Sequence, residues 1–305
     1  MRSKVLVFAG VLAAAMFVLA GAGFCQQGQA AGDGKVTLDK WNKIIEAKVA
    51  ETTPDGKGLI NYEEGYIEAV GIGAPPEKYY GKPQARPMAL RAAQVDAYRN
   101  LLEVTKGVQI DSQTTVKDFV TESDVIQASV SGLVKNAKVT NREYMSDGTV
   151  EVTVRMSMSG TFVRTILPKA ITDDKKTDPP PPPVRPKPGK SDDIFTGLVI
   201  DARGLGARPA MSPKVFDENG KEVYGTLVVN KEFAIQQGIS GYARDLSAAQ
   251  GNPRVTNNPL TVKALSAEGA GKSDLKIAGD DAQKLRSVKE NVAFMQKCRV
   301  MIVLD

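Results

Sequence analysis

Residues 66–108, YIEAVGIGAPPEKYYGKPQARPMALRAAQVDAYRNLLEVTKGV, decide the reading of the fold. Tyr66–Gly73 reads as a strand closing in a glycine turn at Gly71-Ile72-Gly73. A Pro-rich loop follows, through Lys82-Pro83. Pro87 suits a first helical turn, and the spacing predicts a helix to Lys106. Leu90, Ala93, Ala97, Leu101 and Val104 recur at three- and four-residue steps and share one face. Arg91, Gln94, Arg99 and Glu103 face away. The inner face is rich in alanine near its start, so this helix is expected to pack close to its partner. Gly107 ends it.

Downstream, Val108–Lys117 reads as strand. Ser123–Lys135 reads as a second helix with Val125, Ile126, Val130 and Leu133 inward. Lys138–Tyr144 and Thr149–Met158 flank Asp147-Gly148, a hairpin signal. Val150, Val152, Val154, Met156 and Met158 alternate as in a half-buried strand. Upstream, Trp41 stands in WNKIIEAKV, a short packing helix.

Residues 1–30 have the layout of a signal peptide: Arg2 and Lys4, then an uncharged run from Val5 to Ala22, then a polar stretch. Small-x-small cleavage sites occur at Ala20-Gly21-Ala22 and Gly28-Gln29-Ala30, and the run also approaches the length of a membrane anchor. Cys25 is a candidate lipidation site, although Phe24 stands where a small residue is expected; an incidental cysteine is the other reading. Residues 173–190, DDKKTDPPPPPVRPKPGK, hold seven of the 17 prolines. They form an extended linker between a domain at 35–172 and a second at 191–305.

In the second domain Phe195–Asp201 reads as a buried strand followed by a turn to Gly206. Lys214–Phe216 and Glu222–Gly225 read as a hairpin, Leu260–Ala267 and Asp274–Ala278 as strands, Asp280–Gln296 as one helix, and Cys298–Leu304 as a closing strand. The expected architecture is therefore α+β: a small two-helix α/β-sheet domain, a Pro-rich linker and a second small α+β domain.

The chemistry is bounded by histidine, of which there is none. Ser-His-Asp and Cys-His catalysis, and histidine-ligated metals, are excluded. The two cysteines, Cys25 and Cys298, build neither a disulfide framework nor a metal cluster. The net charge of +5 is not concentrated in either domain, so no nucleic-acid partner is indicated. Gly71-x-Gly73 lacks the third glycine of a dinucleotide fingerprint. Ser273-x-x-Lys276 has no companion motif. Glu63-Glu64, Asp192-Asp193 and Asp217–Gly220 supply neither a carboxylate dyad nor a calcium loop, and Cys298 reads as a core residue within an apolar strand. Asp201 and Arg203 are the candidate ligand pair, because an arginine grips carboxylate or phosphate with two bonds; a turn-stabilising ion pair is the alternative. No catalytic residue, cofactor or metal is expected.

Gly71-Ile72-Gly73, ALRAAQVDAYRNLLEVTKGV (89–108), DSQTTVKDFVTESDVIQASVSGLVKNAKV (111–139) and DGTVEVTVRM (147–156) together resemble the LPP lipoprotein family, which includes the flagellar FlgP proteins, and are similar to the N-terminal domain of the flagellar FlgT proteins. The resemblance covers about residues 60–165. It implies two helices on one sheet and a non-enzymatic role in the cell envelope, periplasmic or outer-membrane-associated, through self-assembly with flagellar or other envelope components. TGLVIDARGLGARPAMSPKVFDENGKEVYG (196–225) resembles C-terminal domains that accompany such a domain in exported bacterial proteins. The expectation is an exported structural or assembly protein forming a homo-oligomer. The alternative is a periplasmic ligand- or peptidoglycan-binding module.

Overall fold

The computed structural model describes residues 34–167 and 194–305. The signal segment, Cys25, the proline linker and Asp192-Asp193 lie outside the described residues.

The first half contains α1 (Gly34–Ala47), β1 (Ala50–Thr52), β2 (Gly58–Asn61), β3 (Tyr66–Gly73), α2 (Ala85–Lys106), α3 (Val116–Glu122), α4 (Asp124–Lys135), β4 (Lys138–Tyr144), β5 (Val150–Ser157) and α5 (Thr161–Ile166). Its sheet runs β1-β2-β3-β5-β4 and is antiparallel throughout.

The glycines of β3 do not make a turn. They lie inside the strand, and a Cβ at Gly71 would fall on the backbone of Ala93 and Ala97, while one at Gly73 would fall on that of Ala89 and Ala93. The missing side chains are what let α2 seat its alanine stripe on the sheet. Beyond the end of β2, α2 also satisfies the open edge of β3. Asp96 Oδ2 accepts from the Ile72 amide at 3.0 Å, and Asn100 Nδ2 donates to the Val70 carbonyl at 2.7 Å.

The opposite face of the sheet is covered by α1. Trp41 is buried with Leu59, Tyr66 and Val70, and its indole Nε1 donates to Glu68 Oε2 at 3.2 Å. Arg155 donates to the other Glu68 oxygen at 2.9 Å while its guanidinium lies over the Tyr66 ring, 3.8 Å from the centroid. A buried carboxylate held by an indole and an arginine is compensated rather than orphaned.

Two expectations fail in this half. Residues 108–117 are not a strand. Asp111 Oδ1 accepts from the amides of Gln113 and Thr114, both at 2.9 Å. Thr115 and Asp118 then form a capping box that starts α3. Local side-chain-to-backbone bonds thus displace the strand. Val125 points outward instead of inward, at 75% exposure; Val130 and Val134 are the buried residues of α4.

The second half contains β6 (Gly197–Asp201), β7 (Val215–Phe216), β8 (Glu222–Tyr224), α6 (Lys231–Gln237), β9 (Gly241–Ala243), α7 (Leu246–Gln250), β10 (Pro259–Glu268), β11 (Asp274–Ile277), α8 (Gly279–Ser287), α9 (Lys289–Gln296) and β12 (Val300–Val303). Strand order is β8-β7-β11-β10-β6-β12-β9. The run β10-β6-β12-β9 is parallel. Leu198–Ile200 and all of β12 are accordingly buried on both faces.

The helix expected at 280–296 is two helices. Val288 is extended, and the Asn291 side chain donates from Nδ2 to the Lys284 carbonyl at 3.0 Å, closing α8 as α9 begins. Cys298 precedes β12 rather than lying in it, in a left-handed turn at φ 55°.

The protein has an α+β fold of two domains, each built on its own sheet. They are not held apart: Asp33–Asp305 form one compact unit. One buried apolar cluster runs from Ile67 and Leu101 through to Leu198 and Ile302. The Met211 and Ser212 amides donate to the carbonyls of Gln109 and Ile110 at 3.0 and 2.7 Å. Ser112 Oγ donates to Asp274 Oδ2 at 2.5 Å, and Arg208 pairs with Glu51 at 3.0 Å.

Candidate functional site

Two surface features stand out on this unit. The first is a cleft of about 280 Å³ between the halves. Tyr62, Ser157 and Met158 line it from the first half, and Gln237, Tyr242 and Arg254 from the second. Tyr62 and Tyr242 meet edge to face with ring centroids 6.2 Å apart. The Tyr242 hydroxyl donates to the Ala210 carbonyl at 2.6 Å, and burial pushes its pKa up to about 12.

Arg254 is the charged group deepest in this region, and burial pulls its pKa below the ordinary arginine value. Its hydrogen bonds go to carbonyls: Gly238 at 3.2 Å, Cys298 at 2.8 Å, and Gln237. These lie at the C-terminal end of α6 and just past α9, where carbonyls point out unpaired and favour a cation. Arg254 therefore ties two helix ends together at the cleft wall. Glu63 at the rim accepts from Lys48 at 2.8 Å. Among the described residues no hydroxyl lining the cleft is hydrogen-bonded to a carboxylate. What the arrangement offers is a small polar recess, with two tyrosines and one arginine.

The second feature is the outer face of α2. Ala74, Pro76, Pro87, Met88, Ala92 and Val95 form a shallow apolar groove flanked by Arg91 and Arg99. Met88 is 37% exposed and Val95 38%. Residues 91, 95 and 99 are one helical turn apart in succession, so they form a basic-apolar-basic stripe. Asp96, the acid on the same stretch, is turned toward the edge of β3 and Asn100. Among the described residues neither Arg91 nor Arg99 has an ion-pair partner. The arginines were legible in the sequence as outward-facing; the groove was not, because one wall of it comes from Ala74 and Pro76 of the loop before α2.

The candidate ligand pair closes on itself. Arg203 Nε donates to Asp201 Oδ1 at 2.8 Å, and Nη2 donates to Oδ2 at 2.7 Å. The arginine holds the Asp201 carboxyl below its ordinary pKa. Both carboxylate oxygens and the guanidinium fork are used, so the pair clamps the turn after β6. Ser273 is buried and Lys276 pairs with Glu268 at 2.6 Å; three residues apart along an extended chain, their side chains point to opposite faces. Asp217 is a turn residue bonded to Arg286 at 2.7 Å. Cys298 is a buried free thiol, as expected of a core residue, and burial pushes its pKa up to about 11. Among the described residues no group of histidine, cysteine or carboxylates is arranged to hold a metal ion, and no helix is long and apolar enough to cross a membrane.

No curated protein matches the chain significantly. Residues 197–305, from the first residue of β6 onward, match the family defined by the second domain of Treponema pallidum Tp0624, and this part of the chain is similar to that domain.

Proposed function

We propose that this chain is an exported, non-enzymatic structural protein of the cell envelope that works by assembling with copies of itself, with the flagellar apparatus as its setting. The observation that carries the reading is the stripe Arg91-Val95-Arg99 beside its apolar groove: a cationic and apolar surface on the helix that seats its alanine stripe on the sheet, with no ion-pair partner among the described residues. The resemblance of residues 60–165 to LPP lipoproteins supports the envelope setting, periplasmic or outer-membrane-associated, and the signal-like residues 1–30 support export. Amine cross-linking of the full chain in intact bacterial cells tests it. A ladder of multiples in the envelope fraction is expected; a monomer band confined to the cytoplasm contradicts it.

The cleft favours a second reading, a periplasmic binding module. A molecule seated against Tyr242 and Arg254 would raise the melting temperature in proportion to the logarithm of its concentration. A muramyl peptide is the first probe, and no shift up to millimolar concentration excludes peptidoglycan fragments as its ligand.

A further inference from the structure

We infer that the groove on α2 receives the α3–α4 corner of a second copy of this chain, so that subunits join head to tail. The inference rests on the self-assembly reading and names the surfaces that reading requires.

The corner is Glu122-Ser123-Asp124-Val125. It is the place where the sequence and the fold disagree. Periodicity assigns Val125 to the core, yet at 75% it is the most exposed large apolar side chain among the described residues. Glu122 and Asp124 precede it in the chain, both exposed. Neither has an ion-pair partner among the described residues. Ser123 caps α4, its Oγ accepting from the Ile126 amide at 3.5 Å. The capping box at Thr115–Asp118 fixes the preceding helix. The corner is thus an ordered knob with an exposed apolar side chain beside two carboxylates.

The groove carries the opposite charge: an apolar floor flanked by the Arg91 and Arg99 guanidiniums, with Asp96 in its lining held by the Ile72 amide and Asn100. Arg91 and Arg99 are separated by two helical turns, about 12 Å along the axis, so an apolar side chain can enter between them while a carboxylate meets each. Arginine is suited to this, since its fork engages carboxylates with two bonds. Groove and knob are different patches of the same chain. Joined in one direction such a contact is heterologous, and its repetition yields a closed ring or an open filament. Burying Val125 against Met88 and Val95 supplies the apolar part of the contact. The charges supply register and exclude a groove-to-groove pairing, which would set arginine against arginine.

The test uses residues 31–305, which contain the whole compact unit, as three proteins: wild type, Arg91→Glu/Arg99→Glu and Glu122→Lys/Asp124→Lys. All four side chains are exposed, so far-ultraviolet circular dichroism and the urea midpoint should match wild type. A Val125→Ser variant tests the apolar tip without changing the charge. Light scattering should find wild type many times the monomer mass, and each variant alone at the monomer mass. Mixing the two charge-reversed proteins one to one should rebuild large particles, because each carries a surface complementary to the other. Assembly of the separate variants at wild-type mass, or no recovery on mixing, overturns this pairing while leaving self-assembly standing. A wild type that is monomeric throughout removes the self-assembly reading and the pairing with it. Binding of the wild-type monomer to anionic vesicles, lost in Arg91→Glu/Arg99→Glu, would assign the groove to a lipid surface instead.

Discussion

Ser112 and Asp274, far apart in the chain, share a hydrogen bond of 2.5 Å across the junction of the two halves, and both are buried. The other Asp274 oxygen accepts from the Lys214 amide at 3.1 Å. Gly269 and Gly271, at the tip of the β10–β11 hairpin, leave room for residue 112 to approach, and the Gly271 amide donates to its carbonyl at 2.6 Å. Removing the hydroxyl leaves part of a buried carboxylate unsatisfied, which costs about 2 kcal/mol. Ser112→Ala should therefore lower the urea midpoint of the whole protein. Unfolding followed by Trp41 fluorescence, which reports on the first half, and by circular dichroism should still coincide, because the core is continuous. Two separate transitions in the wild type would refute the fused unit.

Gly71→Ala should be far more damaging than its size suggests. Its methyl would fall on the backbone of α2, which cannot move aside without unseating the alanine stripe. A loss of about 3 kcal/mol or more is expected, in the range of severe core overpacking. Gly132, inside α4, has open space at the Cβ position, and Gly132→Ala should stabilise by up to about 1 kcal/mol. Chemical denaturation of the two variants side by side measures both; equal effects would remove the close-approach argument.

Acid should weaken the second half through Asp217. Its carboxylate accepts from Arg286 and from the amides of Asn219 and Lys221, and these bonds, that of Arg286 foremost, hold its pKa below the ordinary value. A group depressed in the folded state stabilises above its unfolded pKa of about 3.9. That contribution is lost as pH falls below about 4 toward the folded value. Asp217→Asn should cost about 2 kcal/mol at pH 7 and show a flatter loss of stability between pH 4 and 2 than wild type. Melting curves at several pH values decide; parallel acid limbs would contradict the assignment.

The thiol of Cys298 should be silent in the native protein. With its pKa near 11, only about one molecule in a thousand carries a thiolate at pH 8, and burial blocks the reagent as well. In residues 31–305, where it is the sole cysteine, labelling by a chromogenic disulfide reagent should follow global unfolding and accelerate at least a hundredfold in denaturant. Rapid labelling without denaturant would show that the turn at 298 opens independently.

Much of this architecture was legible because its elements are long and periodic. β3, α2 and the β4–β5 hairpin lie where strand alternation, the 3.6-residue stripe and Asp147-Gly148 put them. Residues 226–258 were not read, because α6, β9 and α7 are each at most seven residues long and carry too few apolar positions to show a period. Their caps were nevertheless present as signals: Asn230 accepts from the Glu232 amide at 2.9 Å and Asp245 from that of Ala248 at 2.7 Å. The site was less legible than the fold. Asp201 and Arg203 are near neighbours in sequence, and that closeness lets them satisfy each other. The cleft at Arg254 is assembled from segments distant in the chain, which no local pattern brings together, and the groove at Arg91 and Arg99 needs the loop at 74–76 folded back on α2.

The central claim is that this protein acts by assembling with itself, and the mass of residues 31–305 in solution tests it most directly. Light scattering after size exclusion should give a particle many times the mass of a single chain, shrinking in high salt as the arginine–carboxylate contacts are screened. A single chain at every concentration and salt would contradict the account.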